Sequence, residues 1–262
     1  MLTDPRVSAC IVLYHSGNQT LETIRSLQEA TEKIDLFVVD NSPQDGTALA
    51  IQAQCPGITL LSQEKNIGFG QANNQVLGFL KSTYHLILNP DITFEPDLIT
   101  RMVAFMDAHK DIAILTPRVM NTDGTEQFLP KYRPTIHYLM GGFLQNRGRL
   151  LKKWGIFDRW RREFTMQDEE ITQPIEVGFA TGCFMLIRTQ FFRKLQGFDP
   201  KFFLYQEDSD LTLRAQQLGK VVYHPDMVVT HAWNRESHRS MKAIRMHLRS
   251  TIRLFNKWGW KW

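Results

Sequence analysis

The first 120 residues alternate between continuous apolar runs and segments in which apolar positions recur at helical spacing. The runs predicted to be strands cover 7–15, 34–42, 57–63 and 84–89. The segments predicted to be helices, one of them opened by a glycine-marked loop, cover 20–30, 45–54, 66–82 and 95–109. This alternation predicts an α/β fold with βαβ units and a mainly parallel, Rossmann-like sheet. Strands without polar interruptions are typical of a sheet flanked by helices on both faces.

The second half of the chain has a different pattern. A strand with a turn at Asp123-Gly124 is predicted over 111–128, followed by an irregular basic stretch over 130–170. A long strand-like run is predicted over 174–189, a helix closed by Gly219 within 197–219, and two short strands over 220–233. Residues 236–262 are predicted to form a basic amphipathic helix. We therefore expect a single domain over 1–235 with a C-terminal helical extension.

Composition places the chain among globular proteins rather than disordered or membrane-spanning ones, with 43% hydrophobic and 22% charged residues. No apolar run approaches the ~20 residues of a membrane-spanning helix, and the N-terminus lacks the pattern of a signal peptide. Three widely spaced cysteines, Cys10, Cys55 and Cys183, suit a reducing compartment and lack metal-ligand spacing. We expect a cytoplasmic protein, either free or bound to a membrane surface.

The positive charge is concentrated at the C-terminus, where residues 233–262 hold eight lysines and arginines against one acid, Glu236. Apolar or small side chains recur at helical spacing among these cations, at Met241, Ile244, Leu248, Thr251, Ile252 and Phe255. A helix of this kind can lie on an anionic membrane, with Trp258, Trp260 and Trp262 at the interface. The same pattern suits an amphipathic helix packed on the domain, and we weigh the two interpretations equally.

Polar side chains follow the predicted strands at their carboxyl ends. His15, Asp40, Asn41 and Asp91 all lie at such positions, and in open α/β sheets ligands bind at that edge. Asp40 can accept the imide N–H of a pyrimidine or cap a turn. Asp91 can hold a divalent cation that bridges a diphosphate, or it can cap the turn at Asn89-Pro90-Asp91.

The loop before the third predicted helix contains Gly68 and Gly70. Glycines let the backbone approach a ligand, and a helix N-terminus favours phosphate. The spacing matches neither the dinucleotide-binding nor the P-loop motif, so the alternative is a tight loop whose amides face water.

Three acids open the helix of the segment YQEDSDLTLR, at Glu207, Asp208 and Asp210. The helix dipole stabilises acids there by roughly 0.3–1 kcal/mol each, and Asp210 stands four residues before Arg214, where the two can pair. The functional interpretation is that Asp208 is a general base held by its neighbours.

The order of these segments resembles the glycosyltransferase family 2 enzymes of the GT-A fold, with the closest likeness to bacterial rhamnosyltransferases of O-antigen and cell-wall glycan assembly. The likeness covers roughly residues 7–235, and its specific part is the block GFDPKFFLYQEDSDLTLR. It implies a nucleotide-binding half over 1–118 and an acceptor or catalytic half over 119–235.

The resemblance also implies a role for each candidate residue. Asp40 would hold the pyrimidine, and His15, Asn41, Asn66 and Gly68 would line the donor site. Asp208, beside Glu207, would deprotonate the acceptor hydroxyl. Asp91 matches the last acid of the Asp-x-Asp motif that holds Mg²⁺ or Mn²⁺, and His231 would complete the metal site. Asn89 replaces the first acid of that motif, and an amide brings no charge.

The resemblance implies an inverting transfer of L-rhamnose from dTDP-rhamnose to a polyprenyl-diphosphate-linked glycan, at the cytoplasmic face of the inner membrane. UDP-hexose, UDP-galactofuranose and UDP-N-acetylhexosamine are alternative donors for the same fold. From other classes, a non-catalytic nucleotide-sugar-binding protein or a nucleic-acid-binding protein remain alternatives. The latter would need base-stacking aromatic residues along a basic groove, which residues 1–130 do not supply, so we expect no nucleic-acid partner.

Overall fold

The computed structural model describes residues 5–17, 19–144, 155–232 and 241–262. Within these ranges one sheet contains the strands β1 to β9, at Val7–Leu13, Ile34–Asp40, Thr59–Ser62, Tyr84–Leu88, Ile92–Phe94, Ile112–Met120, Ile175–Glu176, Phe184–Arg188 and Lys220–His231. The helices α1 to α9 cover Gln19–Gln28, Thr47–Gln54, Phe69–Asn74, Leu98–Ala108, Ile136–Leu144, Ile156–Phe164, Thr189–Lys194, Glu207–Ala215 and Met241–Trp258. The strand order is β3-β2-β1-β4-β8-β6-β9-β5, and β7 also pairs with β9.

The sheet lies between two apolar layers because alternate residues of each strand point to opposite faces. Ala9 and Ile11 of β1 belong to a core shared with α1, α2 and α4. Cys10 and Val12 of the same strand belong to a second core shared with α3, α7 and α8. The continuous apolar runs of the first half thus mark strands covered on both faces.

The predicted α/β fold with a central sheet between helices is confirmed, and the parallel pattern extends through β3, β2, β1 and β4. Beyond β4 the sheet is mixed. Strand β8 is antiparallel to both β4 and β6, β6 and β9 are parallel, and β5 and β7 are antiparallel to β9. The antiparallel pairing of β8 depends on strands that are distant in the sequence, so an apolar run does not predict its direction.

Three local predictions in the second half are wrong. The run 174–189 is two strands, β7 and β8, and the small residues between them allow close packing, since a Cβ on Gly178 would lie 2.2 Å from the Arg133 amide nitrogen. The stretch 130–170 contains helices α5 and α6, which pack together. Residues 220–231 form the single strand β9, with a register shift opposite Pro117 and Arg118.

Helix α9 packs on the domain near α8. Leu254 is buried with Phe202 and Leu213, and Trp258 packs against this cluster. The predicted apolar stripe is divided between two faces, because Phe255 is buried whereas Leu248 and Ile252 are exposed. None of the helices in the described ranges is both long enough and apolar enough to span a bilayer.

Candidate active site

Asp40 lies at the carboxyl edge of the sheet, where β2 ends. It pairs with Leu13 of β1, and β4 ends at Leu88, opposite Ile11, which lies two residues before Leu13. The carboxylate is buried, and its Oδ1 accepts a hydrogen bond of 2.9 Å from the Ser42 amide. One oxygen of Asp40 therefore caps the turn after β2, and Oδ2 has no hydrogen-bond partner in the described part of the chain.

The glycine loop is attached to the end of β2 through Asn41. The Asn41 amide donates to Asn66 Oδ1 at 3.0 Å, and Asn41 Oδ1 accepts from the Ile67 amide at 2.9 Å. Asn66 Oδ1 also accepts from the Gly68 amide at 2.8 Å. Gly68 has a φ of +87°, and a Cβ there would lie 2.1 Å from the carbonyl oxygen of Phe203. Both features require glycine at this position.

His15 lies at the same edge but at the surface, with its side chain 66% exposed. Its Nδ1 is 3.3 Å from Asp45 Oδ2, and its backbone amide donates to Ser42 Oγ at 3.1 Å. Among the predicted donor-site residues, His15 is thus at the rim of the site, whereas Asp40 and Asn41 are buried within it.

Asp91 and His231 meet across the pairing of β5 with β9. The Nε2 atom of His231 is 3.2 Å from Asp91 Oδ1 and 3.3 Å from the side-chain amide nitrogen of Asn89. The opposite ring atom, Nδ1, is 3.0 Å from Gln127 Oε1. Gln127 Nε2 donates to the His231 carbonyl at 3.0 Å, which fixes the amide orientation and makes His231 Nδ1 the donor. Nε2 is therefore the acceptor atom of the ring, and it faces Asp91 Oδ1 and the Asn89 side-chain amide.

Asp208 opens α8 and is held by backbone amides. Its Oδ2 accepts from the Gly182 amide at 3.1 Å and its Oδ1 from the Ser209 amide at 2.8 Å. The two residues before the helix, Tyr205 and Gln206, have backbone φ values of +68° and +64°. Residues other than glycine adopt such positive φ values at an energetic cost. This turn aims the carboxylate inward.

Gly182 and Cys183 form a segment that lies between Asp91 and Asp208. The Asn89 amide donates to the Cys183 carbonyl at 2.9 Å, which links this segment to the Asp91 turn, and the Gly182 amide links it to Asp208. Burial raises the pKa of the Cys183 thiol to about 12, and the negative charges of Asp208 and Asp91 add to that increase. The structure thus brings Asp91, His231 and Asp208 around one segment.

The glycine loop borders the same region. A Cβ on Gly182 would lie 3.2 Å from the Phe69 ring, and Phe69 follows Gly68 directly. The loop held by Asn41 therefore continues from the end of β2 to the segment that supports Asp208. Residues far apart in the chain converge at one edge of the sheet.

Comparison with known proteins identifies the family of this chain. Residues 8–196 match the model of the family described as glycosyl transferase family 2. The chain belongs to this family.

The relatives of this family 2 chain include two named rhamnosyltransferases. The chain is 27% identical over 242 residues to the N-acetylglucosaminyl-diphospho-decaprenol L-rhamnosyltransferase of Mycobacterium tuberculosis, covering 84% of this chain and 74% of that protein. It is 29% identical over 196 residues to the rhamnosyltransferase WbbL of Escherichia coli K12, covering 71% of this chain and 69% of that one.

Solved structures share the GT-A fold with this chain. GalNAc-T7, crystallised with UDP, GalNAc and Mn²⁺, superposes with a TM-score of 0.65 at 16% identity, over 96% of this chain and 48% of that one. The family and the fold are those predicted from the sequence, and the protein is a glycosyltransferase. The family match ends before Glu207, Asp208 and His231, so their interpretation depends on geometry.

The two candidate metal ligands of this family 2 enzyme fit a divalent cation that also binds substrate. Oxygen and nitrogen ligands at adjacent positions of an octahedral Mg²⁺ or Mn²⁺ lie about 3 Å apart, and Asp91 Oδ1 and His231 Nε2 are 3.2 Å apart. Gln127 holds the outer nitrogen of the histidine, as outer partners of metal-binding histidines commonly do. Within the described residues no third histidine, cysteine or acid joins them, so a diphosphate and water would complete the coordination.

Lys131 is a further site residue that the sequence analysis did not identify. Its Nζ lies 4.5 Å from the centre of the Phe179 ring and 3.4 Å from Thr181 Oγ1. Burial lowers the pKa of Lys131, and the negative charge of Asp208 opposes that decrease. The single lysine in the segment LPKYRP carries no local signal of this role, because only the fold brings it to residues 179–182.

Glu207 and Asp208 are adjacent acids with different surroundings. Burial raises the pKa of Asp208, while Lys131 and the two backbone donors oppose the increase. Burial also raises the pKa of Glu207, the charge of Asp208 adds to it, and Glu207 Oε2 has no hydrogen-bond partner in the described ranges. Asp208 is thus the member of the pair whose ionised form is better supported, because Lys131 and the two backbone donors act on it.

Proposed function

We propose that this glycosyltransferase moves L-rhamnose from dTDP-rhamnose to a hydroxyl of a polyprenyl-diphosphate-linked glycan. The observation that carries the proposal is the carboxylate of Asp208, which is aimed by backbone donors at the region bordered by Asp91 and His231. The names of the relatives from Mycobacterium tuberculosis and Escherichia coli favour rhamnose as the sugar, and the first also favours a lipid diphosphate as the acceptor carrier.

Asp208 acts as the general base in this mechanism. It accepts the proton of the acceptor hydroxyl as that oxygen attacks the anomeric carbon, and the bond from this carbon to the nucleoside diphosphate breaks. A single displacement by one base, with no second carboxylate acting as nucleophile, inverts the anomeric configuration. The nearby Lys131 favours the ionised form of Asp208.

Asp91 and His231 are the proposed ligands of Mg²⁺ or Mn²⁺. When bound, such an ion neutralises the charge that develops on the departing diphosphate. Asn89, whose side-chain amide nitrogen lies 3.3 Å from His231 Nε2, adds no negative charge to this site. This chain therefore relies on fewer charged protein ligands than an Asp-x-Asp motif would supply.

Asp40 and the Asn41-held loop are the proposed nucleotide site, with Asn66, Gly68 and the rim residue His15. The free oxygen of Asp40 can accept the imide N–H that thymine and uracil share. This contact selects a pyrimidine but not the sugar, so UDP-hexose, UDP-galactofuranose and UDP-N-acetylhexosamine remain the alternative donors.

The C-terminal helix is the proposed contact with the cytoplasmic face of the inner membrane. On α9, Met241 and Leu248 are exposed among arginines, and Trp260 and Trp262 are exposed after it. Apolar and cationic side chains in this mixture suit an anionic lipid surface. The region 236–262 would thus hold the domain over 1–235 near a lipid-linked acceptor.

A donor screen tests the proposal. The full chain is incubated with each nucleotide sugar, Mn²⁺ and a short prenyl-diphosphate-linked N-acetylglucosamine, and products are identified by mass spectrometry. We expect a mass increase of one deoxyhexose with dTDP-rhamnose and none with UDP-glucose or UDP-N-acetylglucosamine. Transfer from a UDP-sugar alone would replace rhamnose as the donor sugar, and no transfer from any donor would reject the proposed acceptor class.

A further inference from the structure

A basic groove lies outside the region of Asp91 and Asp208. It is a cavity of about 850 Å³ between α9 and the segment 201–204, lined by Lys201, Phe203, Leu204, Arg245, Met246, Arg249, Ser250, Ile252, Arg253 and Asn256. Ser250 Oγ donates to the Leu204 carbonyl at 2.9 Å, which fixes the two walls to each other. We call this cavity the α9 groove.

The α9 groove carries four cations and no acid in its lining. Arg245 and Arg249 are one helical turn apart, and neither forms an ion pair within the part of the chain that the structure describes. Asp199 and Asp210, on the neighbouring elements, both pair with Lys257 at 2.7 Å. Among the described residues, no acid lines the groove to neutralise its positive charge, and two adjacent arginines are well suited to phosphate oxygens.

The remaining lining of the groove is apolar. Phe203 and Ile252 are each 41% exposed, and Leu204 and Met246 lie between the cations. Large exposed apolar side chains beside arginines favour a ligand that has both a phosphate group and a hydrocarbon chain. A free sugar nucleotide or a polynucleotide supplies no hydrocarbon chain for these residues.

Phe203 connects the groove to the active site. Phe203 lines the groove, and its carbonyl oxygen and ring edge also lie against Gly68 of the glycine loop. The chain then passes through the strained turn at Tyr205 and Gln206 and reaches Asp208. The segment from Phe203 to Asp208 thus lies between a ligand in the α9 groove and both the glycine loop and the carboxylate of Asp208.

We propose that the α9 groove binds the diphosphate and the first prenyl units of the lipid-linked acceptor. The identity of the acceptor rests on the proposed function, whereas the phosphate and hydrocarbon chemistry comes from the groove itself. Arg245 and Arg249 bind the diphosphate, and Phe203 and Ile252 contact the prenyl chain. The groove is concave and adjoins the segment that leads to Asp208. This shape and position favour the diphosphate end of a single acceptor molecule over a flat bilayer surface.

Binding of radiolabelled farnesyl diphosphate to the full chain tests this proposal by equilibrium dialysis. EDTA and saturating dTDP are present, so that the donor site does not bind the diphosphate. We expect the double variant Arg245→Ala/Arg249→Ala to lose at least tenfold in affinity, and Arg245→Lys/Arg249→Lys to retain most of it. The control Arg25→Ala/Arg159→Ala removes the same charge from exposed positions on α1 and α6 and should stay within twofold of the original chain.

The groove proposal is overturned if farnesyl diphosphate binds the alanine double variant as well as it binds the original chain. It is also overturned if that variant loses only its binding to phosphatidylglycerol vesicles, because the groove would then contact bilayer lipid. The donor screen separates this result from the proposed function. Rhamnose transfer with groove-independent binding rejects the groove alone, and groove-dependent binding without rhamnose transfer rejects the donor assignment alone.

Discussion

Lys257 of α9 forms an ion pair of 2.7 Å with Asp210 of α8, the helix that begins with Glu207 and Asp208. Asp210 is wholly buried and also accepts from Arg214 Nε and from the Trp258 indole, each at 2.8 Å. The predicted pair of Asp210 with Arg214 is thus present, as part of a larger network. This network joins the C-terminal helix to the helix that positions the proposed base.

The first prediction concerns this connection. Lys257→Met leaves a buried carboxylate with fewer partners, and we expect it to lower the free energy of unfolding by roughly 1–3 kcal/mol. The matched control is Lys220→Met, which removes an exposed pair with Asp111 and should cost less, because water and salt screen exposed charges. Urea denaturation followed by circular dichroism measures both. Equal stability of the two variants would mean that the buried network contributes no more than a surface pair.

A second prediction tests the base. Asp208→Asn retains the shape of the side chain but cannot accept the proton, and loss of a general base typically costs about 10²–10⁴-fold in rate. We expect kcat to fall by this amount while the affinity for the nucleotide sugar changes less than threefold. Asp97→Asn, an exposed acid paired with Arg101, is the control. Near-normal turnover by the Asp208 variant would remove this residue from the mechanism.

A third prediction uses pH. Lys131 lowers the pKa of Asp208 against the effect of burial, so Lys131→Met should raise that pKa. Because the base must be ionised to act, the acidic limb of the kcat/KM profile should move to higher pH. Lys131→Arg should keep the original limb, since it conserves the charge. A limb that stays in place in the methionine variant would show that Lys131 does not act through Asp208.

A fourth prediction concerns the metal. Asn89→Asp adds a carboxylate beside His231 and should tighten Mn²⁺ binding in the presence of dTDP, as measured by electron paramagnetic resonance. His231→Ala should weaken it by about tenfold or more, since the loss of even an outer partner of a metal ligand costs 10–100-fold. Chelation by EDTA should abolish transfer by the original chain. Full activity in EDTA, or unchanged Mn²⁺ affinity in both variants, would contradict the proposed metal site.

The sequence by itself determined the features that depend on neighbouring residues. Apolar periodicity identified β1, β2 and β4 and the helices between them, because strand and helix place side chains at different intervals. Turn residues after apolar strands marked Asp40 and Asp91, since parallel strands end at a common edge. The family was also predicted correctly, since residues 8–196 match its model.

Only the tertiary structure decided the features that join distant segments. The antiparallel insertion of β8, the proximity of Lys131 to Asp208, the contact of Gln127 with His231 and the network around Asp210 all involve such segments. Their signals are absent from local patterns because each partner alone resembles an ordinary strand, loop or surface residue. Burial and charge act through space, so the chemistry of these residues is fixed only when the chain is folded.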